Sequence, residues 1–244
     1  MNSLLYITFG PGYGGFNGYY LYVILVIPAL ILSLVAQFKV KRAYSSLSEI
    51  YSKSGYSGAS AAGAVLRYYG ITDVRIEQVS GTLTDHYSPS SKVIRLSEGV
   101  YSSTSIAAIG IACHEAGHAA QHANGYVPIK IRNAILPVCK IGSYAGIPLA
   151  VLGLVLSFEP LVGIGLLLYS FIMLFQLATL PVELDASRRA LQVIEETGLL
   201  SSNDEYKGAK KVLTCAAMTY VAALAVSLAN LLRFIIMFTG RRRK

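Results

Sequence analysis

Long apolar runs constrain the fold of this chain more than any other feature. Residues 19–38 form one continuous run, residues 141–158 and 161–180 form two more, and residues 212–238 form an Ala-rich fourth. A helix of about 20 apolar residues crosses the hydrocarbon core of a bilayer. Only 14% of the chain is charged, against roughly a quarter in soluble domains. The sequence therefore predicts a mainly α-helical membrane protein with three or four apolar helices.

Basic residues at the ends of these runs predict the orientation of the chain. Three of them occupy segment 39–42, after the first run, which favours an uncleaved anchor over a signal peptide. The positive-inside rule then places residue 39 onward in the cytoplasm. The basic tail 241–244 is predicted to contact lipid headgroups rather than nucleic acid. Four crossings would put that tail outside, so the sequence leaves open whether residues 212–238 span the membrane.

A folded part with polar composition separates the first two apolar runs. Ser57 is expected to cap a helix that Gly70 ends, residues 73–79 alternate as in a strand, and residues 85–97 have the pattern of a β-hairpin. The predicted organisation is an N-terminal membrane anchor (1–40), a cytoplasmic α+β part with a short hairpin sheet (41–133), a transmembrane helical hairpin (134–180), a polar helix followed by a loop at 201–211 (together 181–211), and a C-terminal apolar helix with its basic tail (212–244).

The H-E-A-G-H motif of residues 114–118 lies in an Ala- and Gly-rich segment that we expect to be a buried helix, capped by Ser105 and ended at Gly125. Residues four apart share one face of a helix, so the imidazoles of His114 and His118 can both reach one Zn²⁺. Glu115 lies about 100° further round the helix, beside the metal, where a general base is needed. The motif therefore predicts a catalytic zinc site.

A catalytic zinc needs a third protein ligand, for which the candidates are His86, His122, Glu183, Asp185 and the other scattered carboxylates. His122 continues the spacing of the motif but lies about 12 Å along the helix axis from His114, too far for one straight helix to supply all three ligands. Glu183 is more attractive, because it is expected to open a helix directly after the transmembrane hairpin, where the chain returns to the cytoplasmic face.

Several segments together resemble the YugP-like neutral zinc metallopeptidases, which are gluzincin membrane peptidases. The resemblance covers nearly the whole chain and is carried by AQFKVKRAYS, TDHYSPSSKVIRLSEGVYSSTSIAAIG, HEAGHAAQHANGY, LPVELDASRRAL and GAKKVLTCAAMTYVAA. More distantly the chain is similar to HtpX and to CAAX proteases. The resemblance implies a zincin-like fold for the α+β part. It also implies a zinc-dependent endopeptidase with one Zn²⁺ per chain, held by His114, His118 and Glu183, with Glu115 as the base.

The sequence departs from the more distant relatives at one position. They usually carry Asp four residues after the ligand Glu, where it supports a ligand His, and this chain has Ser187 there. Candidates for that supporting role are His122, Asp185 and Ser187. Candidates for stabilising the oxyanion of the transition state, or for contacting substrate, are His86, Tyr101 and Arg188.

The predicted function is a multi-pass zinc endopeptidase of the cell membrane that hydrolyses peptides or unfolded membrane proteins at the cytoplasmic face. The alternative is a non-catalytic zinc-binding scaffold or regulator, which would have no use for the base Glu115. A zinc transporter would need ionisable residues within its spans, and residues 161–180 contain none. The lipid bilayer is the other expected partner. No nucleic-acid motif is present, and the sequence leaves the oligomeric state open.

Overall fold

The computed structural model describes residues 20–242, so the predictions for residues 1–18 and for the last two residues of the tail lie outside it. Its helices and strands are, in chain order, α1 (Tyr22–Ser48), α2 (Gly58–Tyr68), β1 (Arg75–Val79), β2 (His86–Ser88), β3 (Val93–Ser97), α3 (Glu98–Tyr101), α4 (Ile106–Ala123), α5 (Val127–Val155), α6 (Glu159–Thr197) and α7 (Asn203–Arg242). They form two compact units, which we call the apolar bundle (residues 20–35, 131–178 and 220–242) and the α+β domain (residues 36–130 and 179–219).

The apolar bundle takes one segment from each of four long helices, α1, α5, α6 and α7. All four are long and apolar enough to cross a membrane. Helices α5 and α6 approach closely: a Cβ atom added to Gly165 would lie 2.6 Å from the carbonyl oxygen of Gly146. Helix α7 packs against α1, where Ala229 joins Val26 in a small buried cluster. The prediction of a mainly α-helical membrane protein is confirmed, with four candidate spans among the described residues.

Two of the long helices continue through a proline. Pro148 lies inside α5, and Pro181 lies inside α6, where the sequence predicted that a new helix begins. Proline lacks an N–H and its ring clashes with the carbonyl four residues earlier, a cost of about 3 kcal/mol. Next to Pro181, Val182 and Ala186 are fully buried in the α+β domain. Burial of an apolar face stabilises most helices in proteins, and here it outweighs the proline.

Two other helix ends differ from the limits taken from the sequence. The first apolar run ends at residue 38, but α1 runs without interruption to Ser48. Residues 201–211 were expected to be a loop, but α7 begins at Asn203. The Oγ of Ser202 accepts a hydrogen bond from the Glu205 N–H at 3.2 Å, and the Glu205 carboxylate accepts one from the Ser201 N–H at 2.9 Å. This pairing resembles a capping box, and the S-x-x-E spacing was a signal for it.

The α+β domain is built around α4. Thirteen of its 18 residues are buried, most of them Ala, Gly or Ile, so neighbouring elements can approach it from nearly every side. The predicted caps are present: Ser105 Oγ accepts from the Ala108 N–H at 3.2 Å, and Gly125 has φ +62°. The strand order is β1-β3-β2, with β3 parallel to β1 and antiparallel to β2. The predicted small sheet and its hairpin are therefore confirmed.

Candidate metal centre

Three side chains with metal-binding atoms converge inside the α+β domain. His114 and His118 lie one turn apart on α4, with ring centroids 4.7 Å apart. The Oε2 atom of Glu183, on α6, lies 3.2 Å from Nε2 of His114 and 3.6 Å from Nε2 of His118. One ligand atom from each of the three residues lies within 4.8 Å of the other two. Two imidazole nitrogens and one carboxylate oxygen form a donor set that suits Zn²⁺.

This convergence depends on a very close approach of α4 and α6. Gly117 lies between Glu115 and His118 in the motif and faces Ala186 of α6. A Cβ atom added to Gly117 would lie 2.6 Å from the Ala186 carbonyl oxygen, inside the contact limit for real Cβ atoms. The glycine of the motif is therefore required by the packing of the helix that carries Glu183.

The electrostatics of the site favour a cation. Glu183 is 6% exposed and Glu115 is 9% exposed, so two carboxylates lie close to the imidazoles with little solvent. Burial lowers the pKa of His118, but the hydrogen bond with Glu183 and the charges of Glu115 and Glu183 outweigh burial, so the pKa of His118 is raised. The same negative charge would stabilise a divalent metal ion between the three donor atoms. The residues present therefore fit zinc.

Both histidines are held from their other ring nitrogen. The Oγ of Ser187 lies 3.1 Å from Nδ1 of His114, and the Oε1 of Gln121 lies 3.0 Å from Nδ1 of His118. Such contacts orient metal-binding imidazoles in known zinc sites. Ser187 was among the candidates for this supporting role. Gln121 was missed by the sequence analysis, and its signal was a polar side chain one turn after His118 on a helix of buried small residues.

Asp185 supports the site through Gln121 rather than through a histidine. Its Oδ2 atom accepts a hydrogen bond from Gln121 Nε2 at 3.0 Å and one from Arg189 Nε at 2.6 Å, and its Oδ1 accepts one from Arg188. The Arg189 guanidinium lies 5.8 Å from the ring centroids of both Tyr69 and Tyr126. The charge of the buried Asp185 is therefore compensated by two arginines, one of which is fixed between aromatic rings.

The remaining candidates lie outside the cluster of donor atoms. His122 is exposed, with its Nδ1 3.4 Å from the Tyr87 hydroxyl, and His86 is exposed, with its Nδ1 2.8 Å from the Thr84 carbonyl oxygen. Arg188 is paired with Asp185, and its side chain is 68% exposed. Tyr101 is partly exposed at the end of α3. Among the described residues, the donor cluster consists of His114, His118 and Glu183.

Gly117→Ala is expected to lower the free energy of unfolding by about 1–3 kcal/mol, the usual cost of overpacking, and to reduce zinc binding by moving α6 away from α4. Gly110→Ala on the same helix is the matched control, because its added Cβ would make an ordinary contact of 3.4 Å with Ala209 Cβ. Thermal unfolding in detergent and zinc content per chain check both variants. Equal behaviour of the two alanines would contradict the packing argument.

Comparison with known proteins identifies the family of this chain. The family model described as "Putative neutral zinc metallopeptidase" matches residues 22–239. The "Putative membrane protease YugP" of Bacillus subtilis (strain 168) is 46% identical over 222 residues, which cover 91% of this chain and 98% of that protein. No solved structure matches the chain. With four apolar helices and a zinc-compatible donor set in the described residues, the chain belongs to this family of membrane-associated neutral zinc metallopeptidases.

Proposed function

We propose that the protein is a membrane-embedded endopeptidase that binds one Zn²⁺ per chain through His114, His118 and Glu183. The observation that carries the proposal is the convergence of these three donor atoms from two helices at a buried, negatively charged position. Three protein ligands leave one coordination position open, as a catalytic rather than a structural zinc site requires.

In the proposed peptide hydrolysis, Zn²⁺ and Glu115 have different roles. A bound Zn²⁺ lowers the pKa of a coordinated water toward 7 and polarises the carbonyl group of the scissile peptide bond. The carboxylate of Glu115, one residue from His114 on the same helix, accepts the proton of the attacking water and then transfers it to the leaving amine. Its low exposure keeps competing solvent away from that proton. Ser187 and Gln121 hold the two imidazoles during the reaction.

The substrates we propose are peptides or unfolded membrane proteins. Four apolar helices keep the enzyme in the bilayer, and the Bacillus relative is named a membrane protease. A substrate that shares the bilayer reaches the enzyme by diffusion in two dimensions. We therefore expect a membrane-anchored unfolded protein to be cleaved faster in liposomes than the same protein without its anchor. Equal rates for the two forms would count against this substrate class.

Zinc content tests the ligand set. Glu183→Ala should reduce zinc from near one per chain to a small fraction, because two imidazoles alone leave the ion without its charged ligand. His122→Ala is the matched control: it removes a histidine from the same helix face but outside the cluster, and should leave zinc unchanged. The measurement is metal analysis of detergent-purified, zinc-replete protein. Retention of zinc in Glu183→Ala, or its loss in His122→Ala, would refute the ligand assignment.

Glu115→Gln separates a peptidase from a non-catalytic zinc scaffold. The amide has nearly the same shape but cannot accept the proton, so hydrolysis should fall by about 10²–10⁴-fold, the usual contribution of a general base. Zinc content should stay at the wild-type value. The assay uses purified protein in liposomes with the anchored unfolded substrate. Wild-type hydrolysis by Glu115→Gln would exclude Glu115 as the base, and a zinc-replete wild type without hydrolysis would favour the scaffold.

We propose that the site faces the cytoplasm, because the basic residues Lys39, Lys41 and Arg42 follow the first apolar run. A membrane-impermeant chelator should then remove zinc quickly from inverted membrane vesicles and slowly from right-side-out vesicles. Detergent-solubilised protein, in which both faces are accessible, is the control. Faster loss from right-side-out vesicles would reverse the orientation.

A further inference from the structure

The hydrogen bonds of Gln121 determine which way its amide points. On one side the amide nitrogen lies 2.7 Å from the carbonyl oxygen of Val182 and 3.0 Å from Oδ2 of Asp185. A backbone carbonyl accepts hydrogen bonds and cannot donate one, and the Asp185 carboxylate already accepts from Arg188 and Arg189. Both protons of the amide NH₂ group are therefore used on this side. The Oε1 atom must face the opposite side, where His118 lies.

The orientation of the Gln121 amide affects which nitrogen of the His118 imidazole carries a proton. The Oε1 atom of Gln121 is an acceptor with no proton to give, and it lies 3.0 Å from Nδ1 of His118. A neutral imidazole carries its proton on one of its two nitrogens. With the proton on Nε2 alone, two lone pairs would face each other at Nδ1. Without a metal ion, Nε2 faces the Glu183 carboxylate at 3.6 Å and can also hold a proton. A bound metal ion would replace the proton on Nε2, and Nδ1 would keep its proton and donate it to Gln121.

We propose that Gln121 is a positioning residue that keeps a proton on Nδ1 of His118, so that Nε2 is the nitrogen left to a metal ion. The role in metal binding rests on the proposed function, whereas the orientation of the Gln121 amide follows from its hydrogen bonds alone. Nε2 of His118 lies 3.6 Å from Oε2 of Glu183, so it is the ring nitrogen on the side of the three donor atoms.

His114 is held in a different way. Its Nδ1 contacts the hydroxyl of Ser187 at 3.1 Å, and a hydroxyl can either donate or accept a hydrogen bond. Ser187 therefore restrains the position of the His114 ring without dictating which nitrogen carries the proton. Gln121, unlike Ser187, can therefore determine that Nδ1 of its histidine carries a proton. Replacing Gln121 should remove that control over His118.

Gln121 also connects the two helices that supply the ligands. It lies on α4 and is fully buried, and its amide donates to the carbonyl oxygen of Val182, the residue before Glu183 on α6. Asp185, the second acceptor, is held by Arg189 between two aromatic rings. Gln121 therefore links the orientation of the His118 imidazole to the backbone of α6 next to Glu183.

Two replacements of equal length test the proposal. Gln121→Met removes the acceptor that faces Nδ1, and should weaken zinc affinity about 10–100-fold, the usual effect of losing a group that orients a ligand. Gln121→Glu keeps an acceptor oxygen whether its carboxyl group is ionised or protonated, and should keep zinc affinity close to that of the wild type. Zinc affinity is measured by competition with a chelator, and thermal unfolding of the metal-free proteins is recorded alongside.

A purely structural role for Gln121 predicts the opposite order. Gln121→Glu would then be the more damaging change, because it brings a second carboxyl group next to the buried Asp185, whereas methionine fills the space with an apolar chain. Zinc affinity in Gln121→Met equal to that of the wild type, or weaker zinc binding in Gln121→Glu than in Gln121→Met, would overturn the proposal.

The position of the proton is also measurable without any variant. The chain contains four histidines, so long-range ¹⁵N–¹H correlation spectra of histidine-labelled, zinc-loaded protein are simple enough to assign. Nδ1 of His118 should carry a proton in the zinc-loaded wild type, and the exposed His122 serves as an internal reference. Bound zinc with no proton on Nδ1 of His118 would overturn this proposal and leave the proposed function standing. Absence of zinc binding in the wild type would refute the proposed function and this proposal with it.

Discussion

The close contact of α4 with α6 at Gly117 is the constraint on which the rest of the site depends. Two helices with ordinary side chains at their contact lie about 8–10 Å apart. At Gly117 the backbone of α6 takes the space that a side chain would fill. Because of this approach, Glu183 reaches both imidazoles and Ser187 reaches the outer nitrogen of His114. The donor atoms of the candidate metal centre and the groups that contact the histidines therefore come from the same two helices.

The polar groups around the site can be buried because each charge has a partner of opposite charge and each hydrogen-bond donor has an acceptor. Asp185 carries a charge in the interior, and two arginines compensate it. Gln121 uses its donors on Val182 and Asp185 and its acceptor on His118. A buried polar group without partners costs about 1–3 kcal/mol. The network around the site satisfies these groups, so it adds rigidity to the ligand geometry while avoiding that cost.

The sequence predicted the elements of the fold better than their ends. The caps at Ser105 and Gly125 were recognised because they follow local chemistry, in which a side chain or a glycine satisfies backbone groups of the same segment. The continuation of α6 through Pro181 was not recognised from the sequence. The free energy that offsets the proline comes from burial of Val182 and Ala186 against residues distant in the chain. The start of α7 had a local signal in the S-x-x-E spacing, which was overlooked.

The sequence by itself determined the membrane character, through the length of its apolar runs, and the two histidines with their neighbouring glutamate, through helical periodicity. It also singled out Glu183 by its place after the transmembrane hairpin and by family resemblance. Only the tertiary structure decided which side chains support the histidines, because the choice among His122, Asp185 and Ser187 and the role of Gln121 depend on the angle and distance between α4 and α6. Those quantities are set by side-chain volumes at a contact between residues about 70 positions apart, a separation over which local periodicity carries no information.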